Sequence, residues 1–190
     1  MSEVYYSSED SFLLSEVLEK ILPKMILKNP GLHFLEIGSG SGIQLEAALK
    51  SGVKRKNIFS CDINISAVKR CKLLGFNCIK SDLFETFERK VKRRKPWFPR
   101  KYDITVFNPP YLPRDSREPK SSRLATTGGK NGSEITNRFL KDAKKFLKKN
   151  GKIFLVASNL TKGINFSGYR KKIAAKRKIF FEELYVLELY

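Results

Sequence analysis

The sequence has few of the residues on which disulfide-stapled and zinc-binding proteins depend, with one histidine and three cysteines in 190 residues. Cys61, Cys71 and Cys78 form no Cys-x-x-Cys pair, so neither a disulfide framework nor a metal site is predicted. Cys61 and Cys78 lie in strand-like runs, and we expect both to be buried thiols. No apolar run reaches the roughly 18 residues that span a bilayer, and the N-terminus lacks a signal-peptide pattern. A soluble cytoplasmic protein without membrane contact is therefore predicted.

Acidic residues are also scarce. The sequence has 19 Asp and Glu and 38 Lys and Arg, which gives a formal net charge of +19. Two blocks, Arg89–Lys101 and Arg170–Lys178, contain basic residues and no acid. Such patches attract phosphate backbones and acidic surfaces, although a merely solvated surface is the alternative. Arg89–Lys101 is the better binding candidate, because Trp97 and Phe98 would add stacking surfaces. A further basic helix face is predicted from Lys141, Lys144, Lys145, Lys148 and Lys149.

The spacing of apolar residues alternates between strand-like and helix-like, which predicts an α/β fold with a mostly parallel sheet. Helices are predicted at 11–25, 43–50, 67–74, 83–90 and 133–149, and strands at 32–37, 58–63, 76–79, 104–107, 153–158, 169–174 and 184–190. Asn150-Gly151 should end the last helix, with Gly151 just beyond its final turn. The roughly ten residues between the fifth and sixth strands are too few for a full crossover helix.

A glycine-rich segment follows the first predicted strand, where Glu36 precedes Gly38, Gly40 and Gly42. Glycine permits a tight turn and a close backbone approach in front of the N–H groups of the next helix. Ile43 stands where a dinucleotide-binding loop has its last glycine, and the Gly-Lys-Ser/Thr of a phosphate-binding loop is absent. The segment indicates a ligand loop of another kind, with a plain strand–helix turn as the alternative.

Acidic residues lie at the carboxyl ends of the next two predicted strands. Asp62 could accept hydrogen bonds from both hydroxyls of a ribose, or it could cap the following helix. Asp82 could accept from an exocyclic adenine amine, or again act as a cap. Together with the glycine loop, the two acids imply a nucleoside ligand with a polar tail.

Asn108-Pro109-Pro110-Tyr111 directly follows the fourth predicted strand. The prolines have no N–H, so the loop carbonyls are available as acceptors. The Asn108 amide and the Tyr111 ring could hold a planar group that bears an NH2, either an amide or a nucleobase amine. These four residues are the predicted substrate-binding loop, with a proline-rich turn as the alternative.

The order of these signals resembles that of the class I S-adenosylmethionine-dependent methyltransferases, and Asn-Pro-Pro-Tyr resembles the motif of their amino-methylating group. Residues 4–14, VYYSSEDSFLL, are similar to the V-Y-x-P-x-E-D-T/S-x-L-L opening of HemK-like glutamine methyltransferases of the archaeal and eukaryotic type. Residues 180–187, FFEELYVL, are similar to the ending of that branch. Ser7 departs from the pattern, which has proline there. The resemblance covers nearly the whole chain.

The resemblance implies one Rossmann-like methyltransferase domain over residues 1–190. Its seven-stranded, mostly parallel sheet would carry an antiparallel strand near the C-terminus, after a shortened last crossover. Residues 1–30 would form an N-terminal helix and lid, 89–101 a basic insertion and 112–130 a substrate-side loop.

S-adenosyl-L-methionine is the cofactor that the resemblance implies. Glu36 and the loop Gly38–Gly42 would hold its methionine part, with Ser11 near the carboxylate. Asp62 would bind the ribose and Asp82 the adenine.

The resemblance also assigns roles at the acceptor loop, where Asn108, Pro109 and Tyr111 would be the catalytic residues. The Asn108 side-chain oxygen and the Pro109 carbonyl would accept the two N–H hydrogens of the acceptor, and Asn108 would also border the cofactor. Tyr111 would pack on the flat group and exclude water.

The function implied is methylation of the glutamine amide in the Gly-Gly-Gln motif of a peptide chain release factor. A small zinc-binding activator subunit and a nucleic-acid or ribosome contact through the basic patches are further expectations. The alternative is an RNA or DNA amino-methyltransferase that grips a flipped base. A catalytically silent binding subunit is a third possibility, against which the intact glycine loop and Asn-Pro-Pro-Tyr argue.

Overall fold

A seven-stranded mixed sheet organises the chain in the computed structural model, which describes residues 9–92, 98–119 and 122–190. The strands are β1 (Phe34–Ile37), β2 (Ile58–Asp62), β3 (Asn77–Lys80), β4 (Tyr102–Phe107), β5 (Leu112–Pro113), β6 (Thr127–Gly129), β7 (Leu147–Ser158), β8 (Lys171–Ile179) and β9 (Glu182–Leu189). The sheet order is β3-β2-β1-β4-β7-β9-β8, and the short β5 and β6 pair separately.

The sheet is mostly parallel, as predicted. β1 pairs in parallel with β2 and β4, and the pairs β2–β3 and β4–β7 are parallel as well. β9 is antiparallel to both of its neighbours, β7 and β8. Residues 159–170, all of them described, contain turns and no helix, so the shortened last crossover is also confirmed.

Helices cover both faces of this sheet: α1 (Glu9–Lys28), α2 (Ile43–Lys50), α3 (Ile65–Leu73), α4 (Glu85–Lys92), α5 (Arg123–Thr126) and α6 (Glu134–Ala143). α1 buries Leu14, Leu18 and Leu22 completely, and their four-residue spacing places them on one helix face. α2 has the predicted bounds, because the glycine turn sets its start and Ser51 caps its end. Each helix in the described ranges is too short or too polar to cross a lipid bilayer.

The face that carries α4 and α6 has an aromatic core. The rings of Phe84 and Phe146 stack with 4.6 Å between their centroids. Phe98 belongs to the same core, because it is 9% exposed and its ring centroid lies 5.1 Å from that of Phe59. The prediction that Phe98 offers a stacking surface for a ligand is therefore wrong: burial against other rings takes it out of solvent. Trp97 lies outside the described residues. The three cysteines are free and buried, which confirms the prediction for Cys61 and Cys78.

The helix predicted over 133–149 ends at Ala143, because the following residues join the sheet. A 3-10 turn, Lys144–Phe146, leads into β7, whose first residue Leu147 pairs with Tyr102 and is 8% exposed. Strand pairing and burial of Leu147 outweigh the helical preference of the lysines. The five lysines therefore do not share a helix face, but are divided among α6, the turn and β7.

Asn150-Gly151 lies inside β7 and does not end a helix, contrary to prediction. From Tyr102 to Ile104, β4 advances two residues, whereas its partners in β7 advance from Leu147 to Lys152. β7 accommodates the additional residues as a bulge at the amino end of the sheet. Gly151 packs closely there, since a Cβ on it would lie 2.9 Å from the Tyr102 carbonyl oxygen.

Candidate active site

The predicted ligand loops meet around one cavity at the carboxyl ends of β1, β2 and β4. These ends are level, because Ile37 pairs with both Cys61 and Phe107. The predicted residues that line the cavity are Ser11, Glu36, Gly38, Gly40, Asp62, Asp82, Asn108, Pro109 and Pro110. Gly42 and Tyr111 are not among the lining residues. Gly42 packs close to Leu74, and Tyr111 bonds to Asp10.

The glycine loop uses left-handed backbone conformations that only glycine adopts readily. The φ angles are 71° at Gly38, 47° at Gly40 and 90° at Gly42. Gly42 is the residue that precedes α2, and a Cβ on it would lie 3.1 Å from Leu74 Cδ1. Gly42 therefore allows α2 to start close to the end of α3, whereas Gly38 and Gly40 face the cavity.

Glu36 is a buried acid at the floor of the cavity. It is 3% exposed, and its Oε2 has no hydrogen-bond partner among the described residues. Burial raises the pKa of Glu36 well above its usual value, with smaller contributions from Cys78 and Asp62. A buried acceptor without a protein partner is a position where a ligand donor can bind.

Asp62 is fixed by the backbone around it. Its Oδ2 accepts from the Gly40 N–H at 2.9 Å and its Oδ1 from the Asn64 N–H at 2.7 Å. Burial raises the pKa of Asp62, and the backbone N–H groups of Gly40, Asn64 and Ile63 oppose that shift. Asn64 caps α3 by accepting from the Ser66 N–H at 2.9 Å, so Asp62 is not the helix cap.

Asp82 lies at the rim of the cavity in an ion pair. Arg138 Nη2 of α6 donates to Asp82 Oδ2 at 2.9 Å, and Arg138 also lines the cavity. Ser81 Oγ accepts from the Thr86 N–H at 3.0 Å beside the start of α4, a capping role that the sequence had left open for Asp82. Arg138 was not predicted, because 56 residues separate it from its partner.

The first turn of α1 holds the Asn-Pro-Pro-Tyr loop. Asn108 Nδ2 donates to Ser11 Oγ at 3.2 Å, and the Tyr111 hydroxyl donates to Asp10 Oδ2 at 3.0 Å. Asn108 Oδ1 is buried and has no hydrogen-bond partner in the described part of the chain. Asp10, which is 4% exposed, was not predicted as a site residue; its signal is an acid next to Ser11 at a helix start.

Gln44 links the same turn of α1 to the glycine loop. Its Nε2 donates to the Ser11 carbonyl at 2.8 Å, and its Oε1 accepts from Ser15 Oγ at 3.0 Å. Gln44 is 2% exposed and was also missed. A glutamine in the first turn of an otherwise apolar helix face is the sequence signal that points to it.

The segment after Asn-Pro-Pro-Tyr packs on the loop through glycine. A Cβ on Gly128 would lie 2.4 Å from the Pro110 carbonyl oxygen and 2.1 Å from that of Gly132. Thr161 Oγ1 donates to the Tyr111 carbonyl at 2.8 Å, so this carbonyl, expected to be available to a ligand, is used by the protein. The loop is therefore held from behind as well as from α1.

Comparison with known families assigns a chemistry to this arrangement. Residues 14–173 match the methyltransferase small domain family. The chain belongs to this family.

Two relatives extend the methyltransferase likeness over the whole length. The chain is 35% identical to MJ0928 of Methanocaldococcus jannaschii, provisionally named a protein N5-glutamine methyltransferase, over 99% of this chain and 92% of that one. It is 31% identical to the eRF1 methyltransferase catalytic subunit mtq2 of Schizosaccharomyces pombe, over 99% of this chain and 89% of that one. The methyltransferase is thus homologous to these two proteins along nearly its full length.

A solved structure shares the fold. The Mtq2–Trm112 complex of E. cuniculi, responsible for methylation of the eRF1 translation termination factor, contains a chain similar to this one with a TM-score of 0.65 and 24% identity. The match covers 100% of this chain and 98% of the other.

Membership of the family implies S-adenosylmethionine as the methyl donor, and the residues around the cavity fit that cofactor. Glu36 and Asn108 each present a buried oxygen that no described residue satisfies. Gly38 and Gly40 keep the loop narrow where a ligand backbone would approach. The carboxyl groups of Glu36 and Asp62 suit the amine of the cofactor's methionine part and the hydroxyl groups of its ribose as hydrogen-bond donors.

Proposed function

We propose that this methyltransferase methylates the side-chain amide nitrogen of the glutamine in a Gly-Gly-Gln motif of a peptide chain release factor. The observation that carries the proposal is the buried, unpartnered Oδ1 of Asn108 beside a cavity with two buried acids. The relatives named for glutamine and eRF1 methylation, similar over the full chain, support the choice of acceptor.

The cofactor, when bound, supplies an electrophilic methyl group on a positively charged sulfur. Asp62 would accept hydrogen bonds from its ribose, and Glu36 would accept from its amine. Asp82, at the rim beside Arg138, would be the acceptor for the adenine amine. Ser11, predicted near the cofactor carboxylate, also holds Asn108 through its hydroxyl.

Asn108 orients the acceptor. An amide nitrogen is a poor nucleophile, because its lone pair is delocalised into the carbonyl. Asn108 Oδ1 and the Pro109 carbonyl accept its two N–H hydrogens, which aims the nitrogen at the methyl group and stabilises the positive charge that develops. Asn108 Nδ2 is held by Ser11 Oγ, so the amide presents its oxygen and not its NH2 group to the acceptor.

Tyr111 acts from behind the loop. Its hydroxyl is bound to Asp10 and its ring packs against the apolar core on the α1 face. The predicted packing of Tyr111 on the flat acceptor group remains a prediction. The contact with Asp10 gives it a second role, which is to fix the loop whose oxygens bind the acceptor.

The test is methyl transfer from labelled S-adenosylmethionine to three acceptors: recombinant release factor, the same factor with the glutamine of its Gly-Gly-Gln motif changed to asparagine, and total RNA. We expect label in the first acceptor and none in the second. Label in RNA alone would instead establish the nucleic-acid amino-methyltransferase that the charge of +19 makes the main competitor. Equal labelling of the two release factors would exclude the Gly-Gly-Gln glutamine as the acceptor.

A small activator subunit is part of this proposal, since the E. cuniculi protein of the same fold is a complex with Trm112. The sheet has two edges, β3 and β8. β8 is lined with lysines, which disfavour pairing with another strand, whereas β3 is short and Leu73 beside it is 90% exposed. We expect the activator at β3. Co-expression with a Trm112-like protein should raise the soluble yield, and Leu73→Lys should reverse that gain without lowering the yield of the lone chain.

A further inference from the structure

A second concave surface lies at the amino end of the sheet, opposite the cavity. We call it the basic groove. It is formed by the first residues of β7, the segment that enters β8 and the end of β9. β7 and β8 start at this end and the antiparallel β9 finishes there, whereas the methyltransferase cavity lies where β1, β2 and β4 finish.

The groove is strongly cationic. Lys149, Arg170 and Lys172 are exposed there, and no carboxylate in the described ranges pairs with them. Glu188 is the acid among the described groove residues, and its charge is balanced by an ion pair with Lys152. Lys144 lines the same groove, is exposed and likewise has no carboxylate partner among the described residues. Four unbalanced cations on one concave surface create a positive potential that attracts a polyanion.

Aromatic rings stand between these cations. The Arg170 guanidinium lies 5.6 Å from the centroid of the Tyr190 ring, and Tyr190 is 47% exposed. Lys144 Nζ lies 4.6 Å from the centroid of the Tyr169 ring, whose hydroxyl donates to the Leu140 carbonyl at 2.7 Å. The Tyr169 ring is thus held in place, whereas Tyr190 is about half exposed, with the Arg170 guanidinium over one face of its ring.

We propose that the basic groove binds single-stranded RNA, with Lys149, Arg170 and Lys172 on the phosphates and Tyr190 stacking on a base. Protein surfaces that bind single-stranded nucleic acids combine cations with exposed aromatic rings, whereas a surface that binds an acidic protein needs only the cations. The groove opens at the other end of the sheet from the cavity, so bound RNA leaves the release-factor site accessible. This RNA is a tether and not the methyl acceptor.

The test is fluorescence anisotropy of the purified full chain with a labelled 20-nucleotide single-stranded RNA of mixed sequence. The test variant is Lys149→Gln/Arg170→Gln/Lys172→Gln. The matched control, Lys20→Gln/Lys24→Gln/Lys69→Gln, removes three exposed cations from α1 and α3 and leaves the same net charge. Equal thermal melting of the two variants and the parent checks that both are folded.

We expect the groove variant to bind at least about tenfold more weakly and its salt slope to fall by roughly 2, the value for three lost phosphate contacts on a single strand. Tyr190→Ser should weaken binding about fivefold at an unchanged salt slope, because stacking releases no counterions. The control variant should bind within twofold of the parent. Methyl transfer to isolated release factor should be unchanged in all of them.

Four results would overturn the proposal. The first is an absence of RNA binding by the parent chain, and the second is an equal loss of RNA affinity in the groove and control variants. The third is binding of a polyglutamate of the same charge as tightly as RNA. The fourth is loss of methyl transfer in the groove variant with RNA binding retained. The last two would assign the groove to an acidic protein surface. None of the four bears on whether the cavity methylates glutamine.

Discussion

The cavity and the basic groove lie at opposite ends of one sheet and treat their polar groups in opposite ways. Glu36 and Asp62 are 3% and 8% exposed, and backbone N–H groups hold Asp62 in place. Lys149, Arg170 and Lys172 are exposed, and no described carboxylate fixes them. One end of the sheet has a few buried acids, and the other has several exposed cations.

The difference teaches what each kind of site needs. Catalysis depends on a few acceptors at defined positions in a desolvated space, where each hydrogen bond is strong and each misplacement is costly. Attraction of a polyanion depends on the density of charge, acts over about a Debye length and weakens with salt. Substitutions in the cavity should therefore reduce activity or affinity strongly, and salt should not alter their effects. Substitutions of exposed charges should have small effects, and salt should alter these.

The largest effect should come from Asn108→Ala, which removes the buried acceptor oxygen. Methyl transfer to release factor should fall at least about 100-fold, the loss typical of removing one preorganised group that stabilises the transition state. Cofactor affinity, measured by calorimetry, should stay within a few-fold. Asn29→Ala deletes the same amide at the other end of the sheet, where its Nδ2 bonds to Asp103, and should leave transfer unchanged. An active Asn108→Ala enzyme would refute the acceptor role.

Asp62→Asn should come next, because it removes the charge and one of the acceptors while keeping the shape. The dissociation constant of S-adenosylmethionine should rise about tenfold, equivalent to about 1.4 kcal/mol for a hydrogen bond to a charged group. Asp142→Asn is the control outside the cavity, since Asp142 is partly exposed and pairs with Lys145 at the end of α6, and it should leave the affinity within twofold. An unchanged affinity of Asp62→Asn would remove Asp62 from the ribose role.

Glu36→Gln should change stability with pH. Because burial raises the pKa of Glu36, the folded state keeps a proton that the unfolded chain releases, and stability falls as the pH rises from the ordinary carboxyl range toward the raised pKa. The raised pKa of Asp62 acts in the same direction and persists in the variant. Glu36→Gln should therefore gain roughly 2–4 °C in Tm at pH 7 relative to the parent, and less at pH 5.

Thermal melting at both pH values without cofactor checks this expectation. Glu19→Gln, an exposed glutamate that pairs with Lys50, should show no such pH-dependent gain. A Glu36→Gln variant that melts below the parent at pH 7 would mean that the buried carboxylate is stabilising, and that the burial cost is offset by contacts with its surroundings.

The smallest effect should come from Arg177→Gln, which breaks ion pairs between β8 and α1. Arg177 bonds to Glu9 at 2.9 Å and to Glu16 at 2.8 Å, with both glutamate side chains more than half exposed. The free energy of unfolding in urea should drop by about 0.5 kcal/mol, and by less in 1 M salt. If the free energy of unfolding falls by more than 2 kcal/mol, or if salt does not reduce the loss, the expected difference between buried and exposed charges would be contradicted.

Local patterns allowed much of the sheet and one side of the cavity to be predicted. The bounds of α2 follow from glycine before an apolar helix, and the strand ends follow from where buried runs meet an acid or a proline. The helix predicted over 133–149 was too long, because its lysines are helix formers and only pairing with Tyr102 in β4 draws Leu147 into a strand. Phe98 was misjudged for a similar reason, since its partner Phe59 is distant in sequence.

Residues defined by a distant partner could not be found from spacing. Arg138 qualifies as a site residue only because the fold brings α6 to Asp82. Gln44 and Asp10 bridge α1, the glycine loop and the acceptor loop, and their local signals, a polar residue in the first turn of a helix, do not reveal the distant partners that give them this role. Their burial, at 2% and 4% exposure, is a tertiary property.

The contacts between the first turn of α1 and the acceptor loop have a consequence for how the chain matures. Asp10 bonds to a residue 101 positions away and Ser11 to one 97 positions away. Contacts of such long sequence separation form late in folding, because a large loop must close before they bring any gain. In a chain whose sheet has formed but whose α1 has not yet packed against it, Glu36 and Asp62 would be in place. Asn108 would not yet be held by Ser11. Methyl transfer should therefore reappear after the sheet during refolding, which makes activity a reporter of the last folding step.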